Sequence, residues 1–190
     1  GGGDTAASPA PVSGSVTGQA PAEEAPAPAP ATSGTTYHVR TDGGSATQCT
    51  GKTNAAYPGT GTARDCAWIS PMVALPAYGT ARIAGGDTLL IHSGQYKIGH
   101  GAPAGAEKCN TTYPYDCYMP SVPSGPDAAH PTRILGEGYD TGCANAQQLW
   151  GTQRVSRVLS LERSNNVKMA CLEVTDHSAC VDIHALASQK

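Results

Sequence analysis

The chain contains no phenylalanine, and only 14% of its 190 residues are charged. No apolar run approaches the ~18 residues that a membrane-spanning helix requires. The net charge is −3, so no strong field draws the chain to nucleic acid or to an anionic membrane surface. No cysteine pair has C-x-x-C spacing, which removes the zinc knuckle, the thioredoxin-like redox motif and c-type haem attachment. The glycine-rich stretch Gly99–Gly105 lacks the Lys and Ser/Thr of a phosphate loop. No Ser-His-Asp arrangement stands out from chance at this composition. Metal ligation and cofactors are therefore not expected. Gly and Pro are abundant instead, 38 of 190 residues, against an average share of roughly 12%.

The first 36 residues differ from the rest. They hold nine Ala, six Pro and six Gly, and their only larger apolar residues are Val12 and Val16. Such a segment cannot bury enough apolar surface to offset the entropy of ordering its backbone. The run Ala25–Pro30 favours an extended polyproline II spacer. The expected organisation is a tether, 1–36, and a folded domain, 37–190. All three charges of the tether are acidic (Asp4, Glu23, Glu24), so the folded part is balanced, 12 acids against 12 bases. Gly1-Gly2-Gly3-Asp4 followed by a Pro/Ala-rich stretch resembles the start of mature bacterial lipoproteins, just after their lipid-carrying cysteine. That resemblance implies export and a lipid anchor; a plain secreted tail or a processing linker is the alternative.

Seven cysteines lie in the folded part: Cys49, Cys66, Cys109, Cys117, Cys143, Cys171 and Cys180. Disulfides formed in an oxidising compartment are the better reading. A Cys109–Cys117 bridge would pin a loop rich in Tyr, Pro and Asn, and Cys49–Cys66 could close a Gly/Thr-rich loop in the same way. Connectivity does not follow from sequence. The odd count leaves one thiol free, or paired outside these residues.

Thr36-Tyr37-His38-Val39-Arg40 alternates as a short strand should. Asp65 is a candidate N-cap for a short helix from Cys66 to about Tyr78, with Trp68, Ile69, Met72, Val73 and Leu75 on its apolar side and Pro71 and Pro76 keeping it irregular. Gly85-Gly86-Asp87-Thr88-Leu89-Leu90-Ile91-His92-Ser93-Gly94-Gln95-Tyr96 follows: a Gly-Asp turn, a brief strand, then Ser-Gly and an aromatic. Pro131–Gly138 reads as the next strand and turn. Val158–Asp176 reads as successive short strands around a Ser-Asn-Asn turn, where Asn tolerates the left-handed conformation. In that stretch Leu159, Leu161, Val167, Met169, Leu172 and Val174 are expected to point inward, and Ser160, Glu162, Lys168, Glu173 and Thr175 to face water.

This order, a capping helix and then a Gly-Asp-Thr strand with Gly-x-Tyr, resembles the opening coil of right-handed parallel β-helix proteins of the pectate-lyase-like type. The resemblance covers roughly residues 37–184. It implies an all-β fold, a short right-handed parallel β-helix with a small N-terminal capping helix. The step of 23 residues from Val158 to Val181 is close to one coil of such a solenoid. A disulfide-rich β-sandwich is the competing architecture.

Catalysis in that group uses clustered Asp with Arg or Lys from neighbouring coils. No such cluster is matched here, so no catalytic residue is carried over. Weak binding candidates remain. Tyr113, Tyr115 and Tyr118 bunch with Pro114 and Pro120, fit either to stack on sugar rings or to pack a Pro-rich loop. Asp176 and His177, with Asp182 and His184 nearby, suit an acid–base or metal site, or a solvated turn. Asn110-Thr111-Thr112 fits the glycosylation sequon but reads as a loop.

Solenoid repeats bury their core only against neighbours, and the expected third coil has no cap after it. An open rim of strand edges and apolar side chains is a template for another chain. The leading expectation is therefore an exported cell-surface or extracellular protein, structural or adhesive, that self-associates, even into filaments. The alternative is the N-terminal portion of a carbohydrate-active enzyme, a polysaccharide lyase or glycoside hydrolase; a non-catalytic glycan-binding module is the third reading.

Overall fold

The structure is a computed structural model that describes residues 1–3, 34–99, 101–103, 109, 117, 119–152 and 158–177. The chain divides into Gly1–Pro30 and Ala31–Lys190. Of the first unit only Gly1–Gly3 are described, exposed and without regular structure.

The second unit is built of strands: β1 (Thr36–Gly44), β2 (Thr88–Ile91), β3 (Gln95–Ile98), β4 (Thr132–Gly136), β5 (Gln147–Thr152), β6 (Val167–Ala170) and β7 (Leu172–His177), with one short helix α1 (Pro71–Ala74). They form two sheets, ordered β1-β2-β4-β6 and β3-β5-β7, and every pairing is parallel. Each strand of the first sheet from β2 onward is followed in sequence by a strand of the second. The corners between them are His92-Ser93-Gly94, the segment 137–146, and Cys171 alone.

The Gly-Asp-Thr strand and the Gly-x-Tyr segment read from sequence are β2 and β3, and the Pro131–Gly138 segment contains β4. Residues 158–161 carry no strand, only a bridge between Ser160 and Ser121. The expected 23-residue coil ends at Val181, outside the described residues, and the described steps are unequal. Partners in the first sheet run Tyr37–Leu89–Ile134–Met169, so successive steps are 52, 45 and 35 residues. In the second sheet they run Tyr96–Leu149–Val174, steps of 53 and 25 residues.

The helix is much shorter than the expected span. Ser70, not Asp65, is its N-cap, and the Ser70 hydroxyl accepts from the Met72 amide. Pro71 sits in the first turn, where its missing N–H costs nothing, and Pro76 follows just beyond the end. Trp68 is instead extended and bridges β1 at Val39 and Gly44. Its ring lies parallel to that of Tyr37, centroids 4.8 Å apart, and its indole N–H donates to the Cys49 carbonyl. Cys49 and Cys66 form a disulfide across this segment. The outer edge of β1 is therefore covered by the chain itself, with all four residues of α1 buried behind it.

Alternation along the strands builds inward columns. Leu89, Ile91, Ile134 and Leu149 are fully buried, and Tyr96 and Ile98 nearly so. Burial at this level contributes about 1.5–3 kcal/mol per large apolar side chain. The expected burial of the last strands is corrected: Met169 is 36% exposed, Val174 46% and Leu161 48%, while Ser160 is buried. Two causes differ. Met169 and Val174 continue the buried columns in register but form the last rung described. At Ser160 the parity itself is reversed, because its backbone carbonyl accepts from the Val122 amide and its hydroxyl lies 3.3 Å from that of Ser121.

Candidate functional site

A group of polar side chains brought together by the fold lies at one corner of the first sheet. The register that aligns Val39, Ile91 and Gly136 places Arg40, His92 and Glu137 in the next row. Backbone bonds continue there, from the His92 amide to the Val39 carbonyl (2.9 Å) and from the Glu137 amide to the Ile91 carbonyl (2.8 Å). Three residues far apart in sequence thus become adjacent.

His92 is the centre of this row and is buried. Its Nδ1 is 3.2 Å from Glu137 Oε1, and its Nε2 is 3.0 Å from Nδ1 of His38. The two imidazole planes are within 18° and their centroids are 5.2 Å apart. That separation equals the N···N distance plus two ring radii. The rings therefore meet edge to edge in nearly one plane, which aligns an N–H with a lone pair. The other oxygen of Glu137 accepts from the Ser93 hydroxyl (2.7 Å) and the Ser93 amide (2.9 Å). Beside it the Arg40 guanidinium clamps Asp42 through two bonds of 2.7 and 2.8 Å and reaches Asn54 Oδ1 at 3.0 Å. Arg40, Thr41, Asp42, Asn54, Ser93 and Glu137 rim, with His92, an open depression of about 170 Å³.

The electrostatics follow from these donors. The Ser93 hydroxyl, the Ser93 amide and His92 together hold the Glu137 carboxyl at about 2, so it is ionised in ordinary conditions. Burial, and secondarily His92, pushes His38 below the usual imidazole value. Arg40 holds Asp42 low through its hydrogen bonds. Because an ionised carboxylate only accepts, Nδ1 of His92 carries a proton. The chain Glu137–His92–His38 is then a hydrogen-bonded line from a fixed anion to a half-buried imidazole. Ser93 donates to Glu137 rather than to a histidine, so the group is not a Ser-His-acid triad.

Below the corner, Gln147 fastens the passes to one another. Its side-chain oxygen accepts from the Gly94 amide, and its side-chain nitrogen donates to the carbonyls of Glu137 and Asn145. The Cys143–Cys171 disulfide ties the β4–β5 connection to the β6–β7 corner. Gly136 is wedged against Cys171, where a Cβ would strike the Cys171 carbonyl oxygen.

A second feature is the free side of β6 and β7. Among the described residues no strand pairs with their outer edges. The exposed Met169 and Val174 stand there above columns that are otherwise buried.

The sequence candidates fare unevenly. Tyr113, Tyr115 and Tyr118 lie outside the described residues, as do Asp182, His184 and Cys180. Asp176 and His177 fall within β7, paired with Gly151 and Thr152, rather than in a turn. Cys109 and Cys117 are disulfide-bonded and buried, as are Cys49 and Cys66. Among the described residues no three His, Cys, Asp or Glu come together as a metal-binding set. Sequence reading missed His38, His92 and Glu137 as a group. The available signal was that two of them flank the ends of alternating strands, but nothing local says those ends are neighbours.

Three disulfides fit an oxidising, extracellular environment, and no described helix is long and apolar enough to cross a membrane. No protein-family model, curated protein or solved structure matches the chain.

Proposed function

We propose that the chain is an exported structural or adhesive protein of the cell surface, a short right-handed parallel β-helix that self-associates through the β6–β7 rim. The exposure of Met169 and Val174 at the end of buried columns carries this reading. Parallel pairing throughout, and the regular succession of first-sheet and second-sheet strands, support the coiled architecture. The composition of residues 1–36 supports a tether to the envelope. Because the β1 end is covered by Trp68 and α1, a contact using the rim of both copies is favoured over head-to-tail filaments. Lys168 and Glu173, of opposite sign, both stand exposed on the rim strands.

Light scattering over a range of concentrations tests this. Association of the wild-type chain, abolished in Met169→Lys/Val174→Lys, is expected. A wild-type chain that stays monomeric throughout would remove the proposal. The second reading, a carbohydrate-active protein, draws on the depression rimmed by Arg40, Asp42, Asn54 and Glu137, whose fixed donors and acceptors suit sugar hydroxyls. Failure of a polysaccharide panel to bind or be cleaved would set it aside.

A further inference from the structure

We propose that the His38–His92–Glu137 line is an acid-sensitive latch that holds β1, β2 and the end of β4 together at their common corner. Glu137 is anchored as an acceptor by Ser93, so Nδ1 of His92 must donate. With His92 neutral, its Nε2 accepts from Nδ1–H of His38. With one proton added, the His92 Nε2–H donates instead to an unprotonated Nδ1 of His38. Both states keep every hydrogen bond. A second proton sets N–H against N–H across 3.0 Å, and the link between β1 and β2 is lost.

The surroundings do not cancel this. Arg40 of β1 is neutralised locally by Asp42, and among the described residues the anion hydrogen-bonded to the pair is Glu137, already engaged. From β3 the Tyr96 hydroxyl donates to the His92 carbonyl at 2.7 Å, and burial keeps that phenol protonated. Asn54 is neutral. The depression beside His92 opens to solvent, so protons reach the line without unfolding.

The sign follows from His38, which burial holds below its ordinary 6.5. The folded corner binds fewer protons than the unfolded chain, so the latch is complete above that value and is lost as pH falls beneath it. Each unit of suppression corresponds to a tenfold rise in corner opening on acidification.

The test uses the oxidised full chain. Long-range ¹H–¹⁵N imidazole spectra at pH 7.5 should show Nδ1 of His92 protonated and a shared proton signature between His92 and His38. Hydrogen exchange, corrected for intrinsic rates, should show protection of the His92 and Glu137 amides falling between pH 7.5 and 5. His38→Gln keeps an N–H donor toward His92 and cannot titrate, so it should flatten that fall. Two results would overturn the proposal: an unchanged fall in His38→Gln, or wild-type spectra in which both rings gain protons while amide protection holds. Should the variant fail to fold, the wild-type spectra and exchange decide alone.

Discussion

Leu149 and Val174 occupy the same column on adjacent strands, in register with Tyr96, yet Leu149 is fully buried and Val174 is 46% exposed. Truncating each to alanine therefore measures whether the last rung is covered. Leu149→Ala leaves a cavity walled by well-packed neighbours and should cost about 2–5 kcal/mol. Val174→Ala removes two carbon groups, each worth about 0.8 kcal/mol when buried, from a site that is about half open, so the expected cost is about 0.8 kcal/mol. For a domain of this size those values correspond to drops in Tm of about 4–20 °C and about 2–3 °C. Urea unfolding under oxidising conditions, at a concentration where scattering shows monomer, reads both from the midpoint at constant m. At concentrations where the chain associates, the cost at Val174 should grow and that at Leu149 should not. Equal costs in the monomer would refute the reasoning, because they would mean that Val174 is as well covered as Leu149.

Gly136→Ala drives a methyl group into the Cys171 carbonyl and should destabilise by more than about 2 kcal/mol, whereas Gly59→Ala, in open space though at φ 86°, should cost less; thermal melts of the two compare them. Peptide mapping without reduction should recover the Cys49–Cys66, Cys109–Cys117 and Cys143–Cys171 pairs. Replacing both Cys143 and Cys171 by Ser opens a loop spanning 28 residues and should lower stability by about 3–4 kcal/mol in the chain-entropy account.

The strands that sequence revealed are those whose order is local. Thr88–Ile91 is a brief run of β-branched residues and Leu, is bounded by Gly-Asp and Ser-Gly, and needs no distant partner to be recognised. β5 is not legible, because Gln147-Gln148-Leu149-Trp150-Gly151-Thr152 offers two adjacent apolar residues and no alternation. Its place is set by Leu149 landing between Tyr96 and Val174, and by Gln147 satisfying the Gly94 amide of the β2–β3 corner and the Glu137 carbonyl of its own connection. The apolar periodicity of residues 66–78 fits both a helix and the extended Trp68 segment that covers β1, so the sequence does not separate them. The short-range cysteine pairs Cys49–Cys66 and Cys109–Cys117 were open to guessing from the loops they close; Cys143–Cys171 was not, since its partners meet only when β4 and β6 stand side by side.

By itself, then, the sequence determined the compositional break before residue 37, the use of cysteines in disulfides, the strand-rich class and the inward parity of Met169 and Val174. Each depends on composition or on a period of two along a few residues. Only tertiary structure decided which rungs are covered and which polar groups meet. His38 and His92 are 54 residues apart, and His92 and Glu137 are 45. The irregular loops between them carry no period, so their lengths fix the register only once the strands have stacked. Burial and hydrogen-bond partnership are properties of that stack, not of any one strand.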